Sequence, residues 1–152
     1  MKVLLTGSSK GIGYKIAKDL LAEGHELALH YNKNESPLDA LLKEDKTGSF
    51  YTQADLSNQE EIKKMVKNTI RKFSFPDCII NNAGIAESAD ISLDINDWSK
   101  MFDKTIDVNL KAPSLIFKEF LKYKREKKIN SRLRIINIAS RAAFRGEQQD
   151  YI

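Results

Sequence analysis

"KVLLTGSSKGIGYKIA", residues 2–17, decides the fold: an apolar run, a turn carrying Gly7, Gly11 and Gly13, and the start of an amphipathic stretch. A glycine-rich turn between a strand and a helix lets backbone N–H groups and the helix N-terminus approach a pyrophosphate closely. The spacing is G-x-x-x-G-x-G. It differs from the G-x-G-x-x-G dinucleotide fingerprint and lacks the Gly-Lys-Ser/Thr ending of a P-loop, which argues against a nucleoside-triphosphate site. Taken alone, three glycines in a turn are also compatible with a purely structural role.

Beyond the turn, apolar β-rich runs alternate with amphipathic stretches, the pattern of crossover units around a parallel sheet. Strands are expected near Lys2 to Thr6, Glu26 to Tyr31, Ser49 to Gln53, Asp77 to Asn81 and Leu133 to Ile138, with helices between them. The first helix is expected from about Ile12 to Glu23, with Ile16, Ala17, Leu20 and Leu21 facing the sheet and Gly24 closing it. The clearest helix is "NQEEIKKMVKNTIRKF". Its Ile62, Met65, Val66, Thr69, Ile70 and Phe73 recur at three- and four-residue steps and form one buried stripe, capped by Ser57 or Asn58.

A length of 152 residues, with 41% hydrophobic and 30% charged, suffices for one core, so residues 1–152 are expected to form a single α/β domain. The single Cys78 sits in an apolar run and reads as a small buried hydrophobe in a reducing compartment, which points to the cytoplasm. The N-terminal apolar run is too short for a signal peptide, and no stretch reaches membrane-spanning length. No His, Cys or carboxylate cluster has metal-ligand spacing. His30 is expected to be a strand residue facing a neighbour, and His25 a loop residue.

The net charge of +4 is concentrated in "KYKREKKINSRLR", from Lys122 to Arg134, which holds seven basic residues and one acidic. One reading is a solvated helix end whose cations complement the C-terminal dipole. Another is a dock for an acidic partner. Nucleic acid is disfavoured, because no aromatic platform or binding motif accompanies the charge.

Four motifs in register give a resemblance. "TGSSKGIG" at the first turn, "DL" at Asp55–Leu56, "NNAG" at Asn81–Gly84 and "VNL" at Val108–Leu110 follow the order and spacing of the short-chain dehydrogenase/reductase family. The chain resembles the family throughout, most nearly its 3-oxoacyl-acyl-carrier-protein reductase branch. The resemblance implies a nicotinamide-dependent oxidoreductase on a Rossmann-like, doubly wound parallel sheet with about five of the fold's six strands present. It also implies that Gly7, Ser9, Gly11, Ile12 and Gly13 surround the pyrophosphate. Asp55 and Leu56 would flank the adenine, and Asn82, Ala83 and Gly84 the nicotinamide-side ribose. A homo-oligomer is an expectation from the same source.

Charge then bears on the cofactor. An NAD site places a carboxylate at the end of the second strand, whereas a 2′-phosphate needs cations there. "ELALHYNKNES" has Tyr31, Asn32 and Lys33 in that region, and Lys10 adds a cation at the turn. NADP(H) is favoured, although each lysine alone also reads as an ordinary surface residue.

Reduction of a carbonyl by hydride transfer needs a proton donor, a stabiliser for the developing alkoxide and a proton route. In the family an Asn, a Ser, a Tyr and a Lys fill these roles, and Asn109 and Ser140 match the first two. Pro113 has no N–H to donate to the Asn109 carbonyl, leaving it able to hold a water at a helix kink; packing alone explains the proline equally well. Tyr151 is followed only by Ile152, so Tyr-x-x-x-Lys is expected to begin beyond it, and the 152 residues alone to be inactive. The readings are therefore an NADPH-dependent reductase of a 3-oxoacyl thioester or similar ketone, small or carrier-bound, and a catalytically silent nucleotide-binding or interaction protein or inactive fragment.

Overall fold

Successive side chains of a strand point to opposite faces. In the first strand, β1 (Lys2–Leu5), Val3 and Leu5 therefore serve one face and Leu4 the other, and all three are buried. The structure is a computed structural model describing residues 1–87 and 89–140. Within those residues β1 is joined by β2 (Glu26–Tyr31), β3 (Phe50–Gln53), β4 (Cys78–Asn81) and β5 (Arg134–Asn137). They form one parallel sheet in the order β3-β2-β1-β4-β5. The expected strands are all present, those beginning at Ser49, Asp77 and Leu133 each one residue shorter at that end.

Helices lie on both faces of the sheet, as parallel sheets require, although all four residues of β5 are exposed. On one face α1 (Gly11–Ala22) and α2 (Ser36–Leu42) bring Ala17 and Leu38 onto Val3, Leu5, Leu27, Leu29 and Ile80, with Cys78 buried among them. On the other, α3 (Gln59–Phe73) and α5 (Ala112–Glu126) cover Leu4, Ala28 and Ile79 with Ile62, Met65, Val66, Ile116 and Phe120. Phe75 meets Phe120 edge to face at 6.1 Å between ring centres. Removing a fully buried side chain of this kind from water contributes about 1.5–3 kcal/mol.

The α3 stripe is as the periodicity predicts, with Ile70 only partly buried. Asn58 is the cap: its side-chain oxygen accepts the Glu60 and Glu61 amides at 2.9 and 3.3 Å. Ser57 instead donates its hydroxyl to Asp55 at 2.7 Å. The start of α1 differs. Its capping position is held by Lys10, no side chain caps it, and its first turn carries no acidic residue.

Between β4 and β5, α4 (Ile95–Ile106) runs into a π turn (Asp107–Lys111) and then α5. The Ala112 N–H bonds the Asp107 carbonyl, five residues back, and Pro113 sits at the start of α5. The kink expected at Pro113 thus takes the form of a widened turn just before it, a device common at functional sites.

Candidate active site

All strands of a parallel sheet end at one edge, and there the β1–α1 turn meets the loop after β4. Thr6, 1% exposed, ties them together. Its hydroxyl oxygen accepts the Asn82 and Ala83 amides, each at 3.0 Å. Asn82 Nδ2 donates back to the Thr6 and Gly7 carbonyls at 2.9 and 3.0 Å. Two of the three motif glycines serve this clamp. Gly7 has φ +65°, and a Cβ there would lie 2.8 Å from Ala83 Cα. A Cβ on Gly13 would lie 2.2 Å from the Gly7 carbonyl oxygen and 2.4 Å from Asn82 Nδ2. Gly11, with φ +55°, has open space where its Cβ would be.

What faces outward is therefore the middle of the turn. Lys10, Gly11 and Ile12 are exposed and Ser9 is half-buried. Ile12 is 65% exposed, an apolar side chain standing beside the uncapped amides of α1. At the end of β2, Asn32 and Lys33 are exposed, and Gln53 Nε2 holds the Asn32 carbonyl at 2.9 Å.

Beyond β3, the Asp55 carboxylate accepts the Ser57 amide at 2.9 Å and hydroxyl at 2.7 Å. These bonds hold its pKa below the ordinary value, with help from Lys104 and Lys33 and against the effect of burial. Leu56 is 5% exposed and its side chain belongs to the core.

The Asn109 carboxamide forms a two-bond pair with the backbone of Ile85. Its oxygen accepts the Ile85 amide at 2.9 Å, and its nitrogen donates to the Ile85 carbonyl at 2.8 Å. Gly84 lies beneath, where a Cβ would be 3.4 Å from the Asn109 oxygen. The side chain is thus engaged in holding the loop after Gly84. Asn109→Ala is expected to cost about 1–2 kcal/mol and to speed hydrogen exchange at the Ile85 amide, with protection elsewhere in the sheet retained. Ser140 follows β5 at the same edge of the sheet. Tyr151 lies outside the described residues.

Sequence reasoning did not find Thr6 or Ile85, and it found only the strand position of His30. His30 is 2% exposed and joins the turn to the β3 end: its Nδ1 lies 3.0 Å from the Gly7 amide and its Nε2 2.9 Å from the Ala54 carbonyl. The available signal was polarity at a buried strand position. Thr6 directly precedes the first glycine, and His30 interrupts the apolar run "LALHY". Ile85 acts through its backbone and leaves no such trace.

A five-stranded parallel sheet of this order, with a glycine turn and an uncapped helix at its C-terminal edge, is a Rossmann-like dinucleotide-binding fold. The chain belongs to the short chain dehydrogenase family, whose pattern it matches over residues 1–150. It is 35% identical to a 3-oxoacyl-[acyl-carrier-protein] reductase of Staphylococcus epidermidis over 112 residues, 72% of this chain and 45% of that protein. To a Synechocystis protein of the same name it is 33% identical over 147 residues, 94% of this chain and 57% of the relative. An uncharacterized oxidoreductase of S. epidermidis is 32% identical over 142 residues, 93% of this chain and 58% of the relative. The chain spans about half the length of the curated relatives it matches.

The family is one of oxidoreductases and implies a nicotinamide cofactor. The residues present fit one: the first-turn amides of α1 have no side chain capping them, and the open side of Gly11 leaves room for phosphate oxygens beside them. No described helix is long and apolar enough to cross a membrane. Among the described residues no group of three His, Cys, Asp or Glu side chains is placed to hold a metal ion.

Proposed function

We propose that this chain is the NADP(H)-binding domain of a reductase that converts a carbonyl, a 3-oxoacyl thioester or similar ketone, to an alcohol. The observation that carries this reading is the uncapped start of α1, flanked by Lys10 and the exposed Ile12, with Asn32 and Lys33 at the end of β2. When bound, the cofactor supplies the hydride. Gly7, Ser9, Gly11, Ile12 and Gly13 line its pyrophosphate, the Asp55–Leu56 segment its adenine, and Asn82, Ala83 and Gly84 its nicotinamide-side ribose. Ser140 donates a hydrogen bond to the substrate oxygen. Asn109 contributes through its main-chain carbonyl, which Pro113 cannot engage, to a water-borne proton route.

Lys10 and Lys33 are the cationic side of the choice between cofactors. Lys33→Glu is expected to weaken NADPH binding more than about tenfold and to leave NADH binding within a factor of about three, read as the ratio of the two dissociation constants. An unchanged ratio places the 2′-phosphate elsewhere.

The basic stretch supports an acidic carrier as the substrate's bearer. Lys124 donates to the Ile129 carbonyl at 2.8 Å and so closes α5, whereas Arg125, Lys127 and Lys128 are exposed. An apolar stripe supports a homo-oligomer: Trp98 stacks on Phe102 at 5.4 Å, and Phe102, Ile106, Leu110 and Phe117 are exposed along the same helical run. A cytoplasmic location accords with the buried, unpaired Cys78.

The test is NADPH oxidation by the natively expressed protein with an acetoacetyl thioester. Consumption of NADPH with formation of the 3-hydroxyacyl product is expected. Cofactor binding without turnover of any ketone would favour a silent nucleotide-binding protein.

A further inference from the structure

His30 lies at the cofactor edge of the sheet, and of the positions proposed to face ligand it touches only Gly7. The Ala54 carbonyl can only accept, so His30 Nε2, 2.9 Å away, must carry the proton. Nδ1 is then the bare nitrogen that accepts the Gly7 amide at 3.0 Å. The neutral imidazole is thereby fixed in one tautomer by two main-chain partners, one in the phosphate turn and one beside Asp55. Its strand is held as firmly, since the Ser8 amide and hydroxyl both donate to the His30 carbonyl at 2.9 Å.

We propose that His30 is a positioning residue for the cofactor turn, and that protonating this one imidazole releases Gly7 and weakens cofactor binding. The inference rests on the turn being the NADP(H) site. A proton on Nδ1 would set two N–H groups against each other where one hydrogen bond now stands. Gly7 has little room to shift toward Ala83, since even a Cβ on it would lie 2.8 Å from Ala83 Cα. Displacement of Gly7 therefore reaches both the turn and the segment from Asn82 to Gly84.

The surroundings set the sign. Burial lowers the His30 pKa from its ordinary 6.5, while the Ala54 hydrogen bond and the Asp55 carboxylate act against it without prevailing. Asp55 is the charged group acting on the ring. The turn contributes Gly7 and Ser8, with Lys10 exposed on its rim, and β3 contributes Thr52 at the register position opposite. The folded state thus binds the proton less readily than the unfolded chain. The stabilising contribution is complete above about pH 6.5 and is lost as pH falls from there toward the folded-state pKa.

The experiment measures NADP⁺ binding by calorimetry from about pH 7.5 to about pH 5 for wild type, His30→Asn and His30→Leu. The 2′-phosphate of NADP⁺ itself titrates near pH 6, so the variants supply the baseline. Asparagine places an oxygen near the Nδ1 position and accepts from Gly7 without titrating. Over the range, the affinity of wild type is expected to fall more steeply with acidification than that of His30→Asn. His30→Leu is expected to bind weakly at every pH. Equal pH slopes for wild type and His30→Asn overturn the proposal, as does equal affinity of the Asn and Leu variants at neutral pH. The Gly7 amide resonance of the ligand-free wild-type chain is followed in the same titration. It is expected to shift with a midpoint below 6.5 while the fold persists, and a Gly7 amide indifferent to pH also overturns the proposal. If NADP⁺ binds nowhere, the cofactor reading fails, and the Gly7 resonance still decides whether His30 controls the turn.

Discussion

Thr6→Val is expected to be the most damaging conservative substitution in the chain. Valine keeps the shape of threonine and leaves no cavity, so the loss is confined to one hydroxyl. That oxygen accepts two amides, those of Asn82 and Ala83, and its residue is 1% exposed, so water has little access to its place. A buried amide left without an acceptor costs about 1–3 kcal/mol, and these two, each partly buried, together cost about 2–5 kcal/mol. The hydroxyl's own donation to the Ile80 carbonyl, at 3.4 Å, is long and adds little. Chemical denaturation should show the full loss. Thr6→Ser restores the acceptor and should recover most of it, forfeiting only about 1 kcal/mol for the missing methyl. Equal stability of the Val and Ser variants would mean that the hydroxyl does not hold the two loops together.

Gly13→Ala is expected to rank second, and here two effects oppose each other. Alanine in a helix is favoured over glycine by about 1 kcal/mol, and Gly13 lies in the first turn of α1. Against this, the new methyl would lie 2.2 Å from the Gly7 carbonyl oxygen and 2.4 Å from Asn82 Nδ2, neither of which is the loose end of a flexible side chain. Overpacking of this severity costs about 3 kcal/mol or more, so the net effect is a loss of about 2–3 kcal/mol. For a domain of this size that is a fall in Tm of roughly 5–10 °C. NADP⁺ affinity should fall as well, since α1 cannot retreat without carrying the Gly11 and Ile12 amides away from the turn. A Tm at or above wild type would contradict the close approach of α1 to Gly7.

These two residues also mark what the sequence discloses. Gly13 is legible as a motif position, but its reason is not: the motif suggests a phosphate, whereas its Cβ position meets Gly7 and Asn82. Only Gly11 of the three has an open side. The α3 stripe is legible because Ile62, Met65, Val66, Thr69 and Phe73 repeat with the helix, and Asn58 is one of the two capping candidates the sequence offers, with Ser57. Pro113 signals a break, since a missing N–H is a local property. The form of that break, a π turn from Asp107 to Lys111, carries Asn109, whose side chain reaches Ile85, 24 residues away in sequence. Long-range pairings between side chain and backbone leave no periodic trace, which is why Thr6, Ile85 and the bridging role of His30 emerge only from the folded chain.

The central claim, that the β1–α1 turn receives the cofactor's pyrophosphate, is tested most directly by amide NMR of the chain titrated with NADP⁺. The amides of Lys10, Gly11 and Ile12 should shift together and saturably, Lys33 should respond to NADP⁺ more than to NAD⁺, and nicotinamide alone should move none of them. Saturable binding that leaves the amides from Lys10 to Ile12 in place, or no binding at millimolar NADP⁺, would contradict the account.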